Sequence, residues 1–414
     1  MNIRNRNNRC GSALVATIVL AIVLAGLCAA LLAATLSNEK GQVEAGTRQH
    51  AFYAAEAGLS DAFMRVSAGS LAPLDGQVLE LGDAAAPVAL GTSGYWVEIS
   101  KAEEDPRGFL LVSTGIDGSV EARLKQIVSK KPTGFFQFAA FGSQGVLLNS
   151  NAFVDSYDSA YGPYQSQVQG GNAFARENGD VGSNGDIRLR ANTTIHGDCN
   201  PGPGHHVDDS APNIFVSGNR DPLLQPIAMP EIDVPVIASS GSIAGNSNVS
   251  AGPGDVHYTS VVMNGGTTLT IHGPARFVVD DIRMRSNSNL VFDTSGGPIQ
   301  LYSSGDFNLE SNSSVTTNSN SALGVQLFLS GDNMSPGHSD TIQLGSNSSF
   351  IGAIYAPHAS FTLASNFDIY GSIMAGYLDL SSFGKIHFDE ALLYDGYGAT
   401  GELESRLWRP LPNP

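Results

Sequence analysis

Two hydrophobic rhythms open the chain, and they change near Glu39. From Ala13 to Leu36 no charged side chain interrupts the run; from Glu39 to Val66 the apolar residues Ala45, Phe52, Leu59, Phe63 and Val66 fall at steps of 7, 7, 4 and 3. The first pattern is apolar all round, and the second is a stripe on one helical face. No proline lies between Glu39 and Val66, so one helix is predicted from about Ala13 to Val66, roughly 80 Å long. Gly69, Ser70 and Pro73 are its stop signals. The uncharged half alone is about 36 Å long, enough to cross a hydrocarbon layer of about 30 Å.

Shorter periods follow. Tyr95, Val97 and Ile99 alternate, Phe109 to Val112 is a short apolar run, and Leu124, Ile127 and Val128 complete a third. With Asp117-Gly118 as a turn signal, these predict a small antiparallel sheet. Lys130, Lys131 and Pro132 mark a boundary.

From about Phe135 an imperfect repeat begins: "LLNSNAFVDS", "LRANTTIHG", "MRSNSNLVF", "LESNSSVTT", "LGSNSSFIG", "LASNFDIYG" and "LSSFGKIHF". Each has a hydrophobe, a small polar turn around Ser-Asn, and another hydrophobe a few residues on. Leu344, Leu363 and Leu380 lead the last three, spaced by 19 and 17 residues. This predicts coils of a parallel β-helix, with apolar ladders inside and Asn or Gly at corners that need left-handed backbone. Residues 140–392 would form roughly ten coils, about 50 Å of rod. Pro201 to Pro235, with seven prolines, reads as a surface excursion. A β-sandwich or jelly roll is the competing fold, disfavoured because "IGAIYAPHASFTL" and "YGSIMAGYLDL" lack two-residue hairpin turns.

Composition narrows the function. With 22 Lys+Arg against 39 Asp+Glu the net charge is −17, which repels phosphate backbones and argues against nucleic acid. Only 15% of residues are charged; Asn, Ser, Thr and Gly supply the polarity, as in a β architecture exposed outside the cell. Cys10 and Cys28 lie in the N-terminal element and Cys199 stands alone beyond it, so no disulfide is expected within the soluble part. Arg4, Arg6 and Arg9 would stay cytoplasmic and send the rest outward. The apolar run is too long for an ordinary secretory signal, whose core is about 7 to 15 residues. Signal-peptidase cleavage near Ala33 or Ala34 would remove it; a lipoprotein reading of Cys28 is disfavoured by the bulky Leu27 before it.

A short basic leader ending in Gly11, then "SALVATIVLAIVL", then a polar helix with "AFYAAEAGLSDA" (Ala51 to Ala62), resembles the N-terminal region of PilX-type minor pilins and related type IV pilin-like proteins. The resemblance covers about the first 66 residues. It implies cleavage by a prepilin peptidase after Gly11, with Ser12 as an often methylated mature N-terminus. Two departures from the major pilins stand out: those usually start with Phe and carry Glu at mature position five, where this chain has Ser12 and Ala16. A buried carboxylate there would pair with a neighbour's terminal ammonium, so its absence suits a tip more than a repeating body. "VDSYDSAYGPY" and "GAIYAPHASFTL" are similar to an uncharacterised domain found behind PilX-like N-termini, which implies no reaction.

Candidate chemistry is sparse. Asp155 and Asp158, with Tyr157 between them, are the best local acid pair, calcium ligand set or ligand-binding group, against a structural reading as an acidic turn. "GHHVDD" (Gly204 to Asp209) offers histidines and carboxylates, but adjacent side chains of an extended segment point apart. Asp280, Asp281 and Arg283 read as a solvent-facing edge.

The expected fold is therefore α+β: a long pilin-like helix, a small antiparallel sheet, then a predominantly β domain forming a parallel β-helix. The expected divisions are a leader (1–11), stalk (12–68), small head (69–131), β-helix (132–395) and C-terminal tail (396–414). The expected role is a non-enzymatic minor pilin-like or pseudopilin-like subunit of a type IV pilus or related secretion filament, with a surface-displayed β-helical head for assembly or adhesion. It would be held in the inner membrane by one span before display at the surface. Its partners would be other pilins, the prepilin peptidase and a surface glycan or protein, with no cofactor unless calcium binds. The alternatives are a membrane-anchored carbohydrate-active β-helix enzyme, a non-polymerising surface protein, and a bactofilin-like scaffold.

Overall fold

The computed structural model describes residues 10–103, 105–168, 173–305, 307–310, 312–330, 341–344, 349–363 and 365–412. Arg4, Arg6 and Arg9 lie outside them, as does the turn of "LGSNSSFIG" at 345–348. The chain divides into two compact units, residues 1–130 with 402–414, and residues 131–401.

In the first unit, α1 runs Cys10–Ser67. It ends where glycine permits a left-handed residue: Gly69 has φ +69°, and the amides of Ala68, Gly69 and Ser70 bond back to the carbonyls of Met64, Val66 and Arg65. Beyond it, β1 (Val78–Leu81), β2 (Val88–Leu90), β3 (Ser93–Lys101), β4 (Phe109–Asp117) and β5 (Val120–Lys130) pair antiparallel. Gly118, at φ +60°, turns β4 into β5. Tyr95, Val97, Ile99, Leu111, Leu124 and Val128 bury their side chains against the helix.

The buried helix face differs from the expected stripe. Ala51, Ala54, Ala55, Leu59, Ala62 and Val66 are buried, Phe52 and Phe63 flank them half-buried, and Ala45 is exposed. Small residues win because the backbones nearly touch: a Cβ on Gly115 of β4 would lie 2.1 Å from the Ala51 carbonyl oxygen. The alanines of "AFYAAEAGLSDA" are thus the packing face.

The segment expected as a C-terminal tail contains a strand. Leu403–Leu411 pairs antiparallel with β5, Leu403 opposite Lys130. Most of this strand is exposed, so it lacks a clean alternation, and Pro410 sits on a sheet edge, where proline is tolerated. Trp408 packs edge-on to Phe52 at 6.0 Å. The second unit is consequently an insertion between two adjacent antiparallel strands.

That unit is a stacked set of parallel strands, not a sandwich. Around the Ser-Asn turns two interior ladders run along the axis. Before the turn, Met263 stands in register with Met284, and Leu363, Leu380, Leu148 and Leu189 follow one another. After it, Leu269 meets Leu290 and Val315, and Phe350 meets Ile369, Ile386, Val154, Ile195 and Val216. The corner residue is Asn151, Asn192, Asn287, Asn312 or Asn366, with Asn213 equivalent on the outermost coil, all at φ 58–63°. Their amides bond along the stack, Asn213 to Asn192 at 3.0 Å and Asn192 to Asn151 at 3.2 Å. Phe383, φ 63° and half-exposed, takes the same position without that chemistry.

The stacking order does not follow the chain. The coil ending in Lys385–Asp389 pairs with Phe153–Tyr157, near the start of the unit, so the last coil docks on the first. From there the chain builds outward to Phe215–Val216, then runs back along the outside to begin the opposite end at Ser242–Gly245. The return is a strap. Leu223, Ile227, Met229, Ile232, Val234 and Ile237 pack on the core while their intervening neighbours face out. Asn184 exchanges two bonds with the Ile227 backbone, Tyr355 donates to the Pro230 carbonyl, and the His257 ring bonds the Ile237 carbonyl. The proline-rich excursion is therefore at the surface in part as a packed element. Mid-stack entry also brings the unit's ends together: Gly134 donates to Leu393 at 2.6 Å and Phe135 to Tyr397 at 2.9 Å.

Candidate functional site

Two features carry possible function, the first half of α1 and the junction where the last coil meets the first. Among the described residues, one helix, Leu14–Ser67, is long and apolar enough to cross a membrane. Leu14, Ile22 and Leu31 are each about two-thirds exposed, and the other large apolar side chains from Val15 to Leu36 are more than half exposed. Its few hydroxyls are satisfied internally: Thr17 donates to the Leu14 carbonyl and Thr35 to that of Leu32, both at 2.9 Å. A surface so apolar, with its polar groups spent, needs lipid or other apolar helices around it. Gly11 and Ser12 fall in the first turn of α1, and Ala16 follows on it.

The lower stalk hands over to an anchored segment. Asp61 accepts from Arg65 one turn on, at 2.9 Å, and from the Tyr95 hydroxyl of β3, also at 2.9 Å. The Arg65 bond above all holds the Asp61 carboxyl below its ordinary 3.8, against a smaller opposing effect of burial.

Asp155, Tyr157 and Asp158 lie at the coil junction, on the strand Phe153–Tyr157 and just after it. All three are buried, with different partners. Asp155 holds the His387 ring at 2.5 Å with one oxygen and accepts from the Tyr164 hydroxyl, 2.8 Å, and the Ala175 amide, 3.1 Å, with the other. Asp158 caps the short turn Ser159–Tyr161 through the Ala160 amide, 3.0 Å, and lies 3.8 Å from Arg176. Burial pushes the Tyr157 phenol well above its ordinary value.

Residues that sequence reasoning did not single out complete this cluster. Glu390 accepts from Ser156, 2.9 Å, Asn178, 2.9 Å, and Arg176, 3.0 Å. Asp389 accepts from the Ser159, Ala322 and Ala391 amides at 2.9, 2.9 and 3.1 Å. Burial raises the Asp389 carboxyl even so. The available signal was "FDEA" at the end of the final repeat, two adjacent acids where the two preceding coils carry small and apolar residues. The bonds cross from residues 153–178 to residues 387–390, so they latch the final coil onto the first. Among the described residues no group of three or more His, Cys, Asp or Glu side chains is arranged to hold a metal ion. His205 and His206 of "GHHVDD" both approach Asp186, at 3.0 and 3.3 Å.

A family model described as a domain of unknown function (DUF7305) matches residues 231–394, from the strap to the last coil. Curated protein sequences yield no match. Among solved structures, the chain is similar to the competence-associated pilin ComZ from Thermus thermophilus, with 12% identity, 88% of this chain and 97% of that one covered, and a TM-score of 0.27. It is also similar to an ice-binding protein from the Antarctic ascomycete Antarctomyces psychrotrophicus, with 14% identity, 61% and 94% covered, and a TM-score of 0.27. At those scores neither likeness bears on function.

Proposed function

We propose that the protein is a pilin-like subunit, a minor or tip component of a type IV pilus or related secretion filament, displaying a β-helical domain. One observation carries this reading. A single continuous helix is bare and apolar in its first half and packed onto a small antiparallel sheet by a small-residue face in its second. The bare half suits two successive environments, a bilayer and then a bundle of equivalent helices, which supply the same apolar surroundings.

In this reading the prepilin peptidase cuts after Gly11 and Ser12 becomes the N-terminus. Ala16 leaves no carboxylate to pair with a neighbour's ammonium, which suits a subunit that starts or caps a filament. Asp155, Tyr157 and Asp158 hold the coil junction together and do no catalysis. Mass spectrometry of the protein from membranes tests the processing: the expected first peptide begins at Ser12 with a methylated amine. A first residue after Ala33 or Ala34 would reject the proposal.

A further inference from the structure

We infer that the outer face of the β-helix carries a binding groove for a neutral, hydroxyl-rich ligand, a short oligosaccharide. The groove has a volume of about 600 Å³, within the range of small-molecule sites. One wall is built by consecutive coils: Arg276, Gln300 and Gln326 stand in register, about 4.8 Å apart by strand spacing, all on the outward side. The exit segment with Tyr397 forms the other wall, and the rings of Pro274 and Pro298 contribute apolar patches.

Gln326 points to a ligand. Its residue is only 7% exposed, it lines the groove, and its amide makes no hydrogen bond to any described residue. Its amide atoms are not sealed from solvent: they open onto the groove, where both the donor and the acceptor can be taken up by a ligand in place of water. Gln300 accepts from the Tyr302 hydroxyl at 3.2 Å, which leaves its amino group available beside Gln326.

The chemistry of the wall selects the ligand class. An amide both donates and accepts, and so does a hydroxyl; a simple anion or cation would satisfy only one side of it. The groove's cation is already used, since Arg276 donates to Asp255 at 2.9 Å through Nε and again through its terminal nitrogen. A net charge of −17 further disfavours anionic ligands. Tyr397, 46% exposed, and the proline rings offer flat apolar surfaces to the C–H faces of a sugar ring. This deepens the reading of a displayed head by naming what it takes, and binding is measured apart from assembly.

The test uses the full chain in a detergent without sugar headgroups. Neutral trisaccharides of glucose, N-acetylglucosamine, mannose and galactose, with trigalacturonate as the anionic probe, are titrated by calorimetry. At least one neutral sugar should bind, and trigalacturonate should bind at least about tenfold more weakly. Gln326→Leu and, separately, Tyr397→Ala should each weaken the neutral sugar about tenfold or more with the melting transition retained; Thr316→Ala, on another face, should not. No neutral sugar binding up to its solubility limit would overturn the inference and mean that water alone occupies the groove. Unchanged affinity in both folded variants would overturn it equally. Incorporation of the same variants into sheared filaments reads the assembly proposal separately.

Discussion

At the residue scale, single positions show where the chain departs from its own rules. Asn holds the left-handed corner on coil after coil because its short polar side chain tolerates that backbone and bonds its neighbour along the axis. Phe383 occupies the same backbone with a half-exposed ring and gains neither benefit. Phe383→Asn should therefore stabilise the β-helix by about 1 kcal/mol, seen as a higher urea midpoint with an unchanged slope. Asp61 is the complementary case, a carboxylate favoured in its charged form by Arg65. Its folded pKa lies below the ordinary 3.8, so its stabilising contribution is fully present above that value and is lost as pH falls through the folded one. Asp61→Asn should destabilise the helix–sheet unit near neutral pH by about 1 kcal/mol. The gap from the unmodified protein should close below about pH 3.8 in chemical denaturation series.

At the scale of elements, close approach and latching decide the architecture. Helix α1 rests on β4 through alanines and Gly115, so Gly115→Ala must push a backbone carbonyl away. The expected cost is about 1–3 kcal/mol, measured as a lowered melting point of the full chain in detergent. At the coil junction, Asp155→Asn places an amide against the donors of Tyr164 and Ala175 or against His387. A loss of about 1–3 kcal/mol follows, with proteolysis accelerated first at the final coil. Cys199 offers a reporter: it is fully buried, and burial pushes its thiol up to about 12. It should stay unreactive to thiol reagents at pH 8 until the β-helix opens.

Much of this was legible in the sequence. The repeat gave the corners and both interior ladders, because its period and its Asn express the same local geometry at every coil. The stalk was readable from charge and periodicity, though its packing face was carried by alanines, which hydrophobic spacing undervalues. The stack order and the strap were not legible: pairing Leu380 with Leu148 and Ile386 with Val154 requires contacts between distant segments, and no local pattern encodes them. The edge strand Leu403–Leu411 escaped for a related reason, since its exposed residues carry no inward face. The groove escaped because Gln300 and Gln326 acquire meaning only through their register.

At the scale of the whole molecule, the insertion explains how a large β-helix is carried without disturbing the unit that bears it. Its ends meet, and they join two strands that are paired neighbours, Lys130 opposite Leu403. Each unit keeps its own core, and the bare half of α1 is left as the surface in search of partners. The most direct measurement is in-cell photo-crosslinking from that surface, with a photoreactive residue at Ile18 or Leu32 and recovery of sheared filaments. The account predicts adducts between the stalk and the stalk of another pilin in the filament fraction. Adducts confined to lipid, with the protein missing from sheared filaments, would contradict it.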